Sequence, residues 1–224
     1  QTWANIGLNG ERITSMAFSP ATDQRTKTPT LVVGTFDDSE FSTLGLGKPA
    51  TPTEAPGRIY WCSIPANDTT VKLSKVCEIK DFGVTNMVFD TEKNFVNFAT
   101  TRGIYYTWVH GAMYAKRKLG TPNDRLFTAI NARPFDKWSK LTCAAPFSSS
   151  EQNPVYFTNQ RSRNWTALSP TTEKINGNKG GRLNRGISCI LPDIYDQEIL
   201  FLCNNEGIFK TTDGGRSYRN VHLR

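Results

Sequence analysis

Gly207-Ile208-Phe209-Lys210-Thr211-Thr212-Asp213-Gly214-Gly215-Arg216-Ser217-Tyr218 is the stretch on which the fold of this chain turns. Ile208 and Phe209 are strand formers, and Tyr218 opens a second extended run, Tyr218-Arg219-Asn220-Val221. Between them, Asp213 offers a side-chain acceptor while Gly214 and Gly215 supply the positive φ that a tight turn needs. The stretch reads as strand, tight turn, strand.

The same frame recurs upstream. Gly103-Ile104-Tyr105-Tyr106-Thr107-Trp108-Val109-His110-Gly111-Ala112-Met113-Tyr114 aligns without a gap, matching Gly, Ile, aromatic, Thr, Gly and Tyr, with Val109 in place of the Asp. Val155 to Trp165 keeps the Thr and the closing aromatic, and Ile59-Tyr60-Trp61-Cys62 supplies a fourth strand with no such turn after it. Two apolar strands precede each copy. The first strands are Ile13–Phe18, Val84–Phe89, Leu126–Ile130 and Ile187–Leu191; the second are Leu31–Thr35, Phe95–Ala99, Leu141–Ala144 and Ile199–Cys203. Near-continuous apolar runs of this length suit strands buried on both faces.

A unit of four strands repeating every ~45 to 60 residues predicts an all-β fold, a small β-propeller of four-stranded antiparallel blades, four to five in number. The repeat units fall at about 7–80, 81–120, 121–169 and 182–224 of one 1–224 domain. A β-sandwich explains the strand density equally well, but not the in-frame repeat. Trp3-Ala4-Asn5-Ile6 looks like a surplus outer strand, and the runs 37–57 and 170–181 read as long loops.

The pattern Thr211-x-Asp213-x-Gly215-x-x-Tyr218 resembles the Asp-box, or BNR repeat, found in the β-propellers of sialidases, sortilin-type receptors and some glucan hydrolases. In that family the box is structural, tying strands three and four of a blade together away from the ligand. The resemblance therefore implies a propeller and moves the search for function elsewhere.

Composition narrows the function classes. Thirteen Phe, seven Tyr and five Trp favour strands, and no apolar run approaches the ~18 residues of a membrane-crossing helix. A net charge of +7 favours acidic partners, yet no zinc-finger spacing, RRM motif or basic helix marks a specific nucleic-acid binder. Five cysteines without a Cys-x-x-Cys pair, and only two histidines, argue against a metal centre, and no cofactor motif is present. The sequons at Asn67 and Asn164 fit a secreted, extracellular glycoprotein with both asparagines in turns or on edges.

Cys62 stands where the other copies carry Thr107, Thr158 and Thr211. A disulfide from Cys62 to Cys77 across the third and fourth strands would replace the missing turn, contributing roughly 3 kcal/mol. Cys189 and Cys203 occupy facing positions of one hairpin, either as a second pair or as small buried hydrophobes. Cys143 reads as a buried free thiol.

Propellers bind ligands where the loops entering the innermost strands crowd round the axis. Three of those four entrances carry an arginine, Arg12, Arg125 and Arg185, and converging guanidinium groups hold a carboxylate, sulfate or phosphate. The cluster is similar to the one with which sialidases hold a carboxylate, although Arg133-Pro134 lacks that family's motif and no Tyr-Glu pair can be assigned. Trp138 and Trp108 could stack on sugar rings, whereas Trp165 and Trp3 suit the core. The expected function is a lectin-like recognition module, more a binder than an enzyme, whose partner is an acidic glycan or other anionic ligand. Two alternatives remain: a glycoside hydrolase using the entrance carboxylates Asp81, Asp124 and Glu11, and a protein-binding scaffold forming part of a larger propeller.

Overall fold

A computed structural model describes residues 7–8, 12–19, 29–36, 57–63, 73–79, 83–90, 95–108, 114–116, 118–119, 127–132, 142–146, 155–158, 164–168, 187–204 and 207–221. Among them the regular structure is all strand, arranged in four sheets. The first sheet runs β1 (Ile13–Ser19), β2 (Thr30–Phe36), β3 (Gly57–Ser63) and β4 (Ser74–Ile79) in simple order. The second runs β5 (Val84–Asp90), β6 (Phe95–Thr100), β7 (Gly103–Trp108) and β8 (Tyr114–Lys116). β9 (Lys118–Leu119) then crosses to the third sheet, which holds β10 (Phe127–Ala132), β11 (Thr142–Pro146), β12 (Val155–Thr158) and β13 (Asn164–Leu168). The fourth contains β14 (Cys189–Pro192), β15 (Leu200–Asn204), β16 (Gly207–Thr211) and β17 (Arg219–Asn220).

Consecutive strands pair antiparallel, as hairpin connections dictate. The exception is β9, which lies parallel on the outer edge of β13 through Asn164↔Lys118. A fifth outer strand therefore exists, but the third sheet receives it. Trp3 to Ile6, the stretch expected to supply it, lies outside the described residues.

The repeat frame sets the register. Phe209 pairs with Asn220, Tyr105 with Lys116 and Tyr156 with Ala167; these are equivalent positions in three sheets. In the first sheet the return strand enters later, with Trp61 opposite Ser74.

Sheets stack face on face in chain order: β1 packs on β5, β5 on β10 and β10 on β14. Each junction has its own apolar core. Val32 and Ile59 meet Val84, Met87 and Phe89 at the first. Ala99 and Ile104 meet Phe127, Ile130 and Tyr156 at the second, with Phe127 edge-on to Tyr156 at 5.6 Å. Ala129 and Val155 meet Ile187, Ile190 and Leu202 at the third. β5 thus turns Met87 towards the first sheet and Val88 towards the third. A sandwich has no sheet buried on both faces by two different neighbours, and a propeller does. The fold is all-β and propeller-like.

The junctions are tight where the sequence permits it. A Cβ placed on Gly83 would fall 1.8 Å from the Phe36 ring, so the chain entering β5 passes directly under that ring. The turn after β16 is fastened from within. The Thr211 hydroxyl donates to Asp213 Oδ1 at 2.6 Å and accepts from the Gly215 amide at 3.0 Å. Asp213 Oδ1 also accepts the amides of Arg216 and Ser217, both at 2.9 Å. Gly214 and Gly215 take φ of 69° and 93°, where a Cβ would be strained. Desolvation pushes the Asp213 carboxyl up, but hydrogen bonds from the Ser217 and Thr211 hydroxyls and the Ser217 and Arg216 amides outweigh it and hold the pKa at about 2.

The cysteine expectations are corrected. Cys62 is a buried free thiol, and Cys77 pairs opposite Ile59, three residues further back along β3. That offset is about 10 Å along a strand, beyond the ~7 Å that a disulfide spans. Cys189 and Cys203 do face each other in register, but both are free. Nor are they buried hydrophobes: Cys189 is exposed and Cys203 half-buried. Burial and the neighbouring Cys203 push the Cys189 thiol above its usual value, and burial does the same for Cys62. The side chain of Cys143 lies outside the description.

Candidate functional site

The innermost strands β1, β5 and β10 share a feature at their second residue, and Ser188 holds the equivalent place just before β14. Register slips between Ile13 and Ser15, Val84 and Asn86, and Phe127 and Ala129, leaving Thr14, Thr85 and Thr128 as bulge residues. A bulge re-aims one side chain out of the ladder. Here each hydroxyl reaches the next sheet: Thr14 Oγ1 donates to the Val84 carbonyl at 2.6 Å, Thr85 Oγ1 to the Phe127 carbonyl at 2.5 Å, and Thr128 Oγ1 to the Ile187 carbonyl at 2.7 Å. Each acceptor is the residue just before the next hydroxyl-bearing one, so the bonds form a relay running from sheet to sheet.

Ser188 is the fourth member. Its amide and hydroxyl both turn back to the Cys203 carbonyl of its own sheet, at 2.9 and 3.3 Å. One residue further along, Ser15 Oγ approaches Asn86 Oδ1 at 3.5 Å, and later in the strand Asn131 Nδ2 donates to the Ile190 carbonyl at 2.9 Å. These groups are hydrogen-bonded to one another and hold no reactive pair. Their effect is geometric: Ile13, Val84, Phe127 and Ile187 are fixed as successive neighbours, and the chain enters all four strands from the same end.

The relay supplies a frame for the entrance residues. Arg12 is exposed at the mouth of β1, and its carbonyl accepts the Phe36 amide at 3.2 Å. Gly83 holds the equivalent place before β5, exchanging bonds with Thr101. Glu11, Asp81, Asp124, Arg125, Arg185, Trp138 and Asn67 all lie outside the described residues. Trp108 ends β7. Asn164 begins β13, where it pairs with Lys118 of β9. Thr211, Asp213, Gly215 and Tyr218 come together in the turn already described. Among the described residues no three His, Cys, Asp or Glu side chains gather as a metal site, and no helix is long and apolar enough to cross a membrane.

Sequence reasoning passed over Thr14, Thr85, Thr128 and Ser188. Their signal was present: Ile13-Thr14, Val84-Thr85, Phe127-Thr128 and Ile187-Ser188 each put a hydroxyl directly after the apolar residue opening an inner strand.

No protein-family model matches the chain, and no curated protein matches it. Solved structures do. The GH74 xyloglucanase of Xanthomonas campestris superposes with a TM-score of 0.60 at 11% identity, over 93% of this chain and 30% of that one. An ancestral GH74 enzyme gives 0.58 at 15% identity, over 98% of this chain and 25% of that one. Niastella koreensis GH74 gives 0.50 at 12%, over 92% and 37%. The shared property is the propeller fold. This chain spans about a third or less of the length of the first two.

Proposed function

We propose that this protein is a secreted recognition module that binds an anionic glycan at the converging inner-strand entrances, through Arg12, Arg125 and Arg185. The observation carrying this reading is the hydroxyl relay, which holds successive strand starts as neighbours. Arg125 and Arg185 each lie two residues before a relay residue, Phe127 and Ile187. Two residues of chain span at most about 7 Å, so both arginines are tethered close to the fixed ends, as Arg12 is to Ile13. Guanidinium groups at three of the four entrances, those of β10 and β14 adjacent and that of β1 one sheet further on, suit sulfate or carboxylate groups repeated along a polysaccharide. The net charge of +7 adds a favourable long-range field. Trp138 and Trp108 would add sugar-stacking faces. The hydrogen bonds of the Thr211–Tyr218 turn support reading it as an Asp-box, whose part is structural. The sequons at Asn67 and Asn164 support secretion.

The test compares a sulfated or uronic-acid polysaccharide with neutral xyloglucan at low and high salt. Binding is expected for the anionic polymer only, weakening as salt screens the contacts. Arg12→Ala, Arg125→Ala and Arg185→Ala should each lower affinity about tenfold, or ~1.4 kcal/mol. Unchanged binding in all three would overturn the site. Turnover of either polymer, lost in Asp81→Asn or Asp124→Asn, would replace the binding reading with a hydrolytic one.

A further inference from the structure

The mouth of β5 is the inner-strand entrance that brings no arginine of its own. Gly83 stands there in the place Arg12 takes before β1, and no side chain fits: a Cβ on Gly83 would fall 1.8 Å from the Phe36 ring. A guanidinium at this entrance has to come from another part of the sheet. The turn joining β6 to β7 is the part that reaches it. There Thr101 closes onto Gly83 from both directions. Its amide donates to the Gly83 carbonyl at 3.1 Å and its hydroxyl accepts the Gly83 amide at 3.2 Å. The next residue in the turn is Arg102.

The backbone of Arg102 is tightly set. Thr100 and Gly103 pair as the last rung of the hairpin, and Gly103 takes a φ of 137° that favours glycine. The Thr100 hydroxyl accepts the Arg102 amide at 3.1 Å and donates to the Gly103 carbonyl at 2.8 Å. Thr100 and Thr101 are both buried, so the turn belongs to the packed sheet. The side chain is less well provided for. Arg102 is half-buried, yet its Nε is shut away from solvent and no acceptor reaches it. The second sheet is flanked by the first and the third through β1 and β10, and among the described residues neither neighbour supplies that acceptor. Buried donors in folded proteins are nearly always satisfied, and a charged donor left bare is the costlier kind. The missing acceptor is what an anionic ligand would bring.

We infer that Arg102 is an anion-binding residue, the guanidinium of the β5 entrance, pairing with a sulfate or carboxylate group of the ligand. The inference rests on the anionic-glycan reading above and extends it. Arg12, Arg125 and Arg185 leave the second sheet out, and Arg102 fills that place, so every sheet contributes one guanidinium on the entrance side. Four such groups on successive sheets suit a polyanion, whose linked charges bind with the gain of multivalency. Arg102 has no internal acceptor to surrender and its turn is already ordered, so two costs of recruiting an arginine to a ligand are absent.

Arg102→Met keeps the apolar stem of the side chain and removes its donors. Thermal denaturation of the ligand-free 224-residue chain should find this variant as stable as wild type or more so, because the lost guanidinium had no acceptor to leave unpaired. Binding to dextran sulfate at low salt should weaken ~10-fold, as for Arg12→Ala. Arg102→Lys should recover only part of it, since an ammonium lacks the planar fork. Inorganic sulfate, compared with chloride at equal ionic strength, should raise the melting temperature of wild type more than that of Arg102→Met. A lower melting temperature for ligand-free Arg102→Met would make the residue structural and overturn the proposal. Unchanged dextran sulfate binding in Arg102→Met, beside weakened binding in Arg12→Ala, would overturn it too and leave the three-arginine reading standing. Loss in Arg102→Met alone would keep Arg102 as an anion site and remove the other three arginines from it. A wild type that binds neither dextran sulfate nor inorganic sulfate would overturn both.

Discussion

At the scale of single residues, a threonine hydroxyl does what no apolar contact between the sheets can do: it fixes one strand start against the next by a directional bond. Thr85 is the most informative, since it donates to Phe127 while the residue before it, Val84, accepts from Thr14. Thr85→Val keeps the shape and removes the donor, leaving the Phe127 carbonyl without that partner. Urea denaturation should show a loss of about 1 kcal/mol with little change in m-value. Asp213 gives a pH-dependent counterpart. Its pKa in the folded protein, about 2, lies below the ordinary 3.8, so as pH falls the unfolded chain takes up the proton first. The stability it contributes is complete above roughly pH 5, declines through 3.8 and is gone below about 2. Asp213→Asn should flatten the acid limb of stability against pH between those limits, measured by thermal denaturation, while leaving its shape above pH 6 unchanged. Asp213 was legible in the sequence because a turn needs a side-chain acceptor at a fixed offset from glycine. The relay threonines were harder to read: a hydroxyl after the apolar residue opening each inner strand is a local signal, but it does not name its partner, which lies a whole repeat away, 42 residues in the case of Thr85.

Among elements, the in-frame repeat gave the pairing of third and fourth strands in three sheets, since Gly-Ile-aromatic-x-Thr and the closing aromatic are both local to one hairpin. Two features escaped it. The late return of β4 opposite β3 moved Cys77 three residues away from the place a staple would need, and the repeat offers no second box with which to count that loop. β9 joining β13 in parallel is a contact between neighbouring repeats, invisible to any pattern within one of them. The thiol state has a direct check: under denaturing, non-reducing conditions, Cys62, Cys189 and Cys203 should all react with a thiol reagent, and each Cys→Ser change should lower the count by one. Junction packing is tested at Gly83. Alanine there would drive its Cβ into the Phe36 ring, and Phe36 is fully buried, so the ring has little room to give. Gly83→Ala should cost about 1–3 kcal/mol in chemical denaturation, the usual range for overpacking. Restoring space with Gly83→Ala/Phe36→Leu should recover part of it, as residues in contact couple.

For the whole molecule, the four sheets are chemically alike but not alike in support. β5 and β10 are each gripped from both sides, by apolar cores on two faces and by relay bonds as donor and as acceptor. Among the described residues, β1 and β14 are gripped from one side only. Local opening draws on the least supported elements first, so amide exchange should grade along the stack even though backbone pairing within each sheet is equivalent. At low micromolar concentration, hydrogen–deuterium exchange should be slowest in Val84–Asp90 and Phe127–Ala132 and faster in Ile13–Ser19 and Cys189–Pro192. Uniform protection would mean that the sheets open as one unit and that the junctions carry no separate stability.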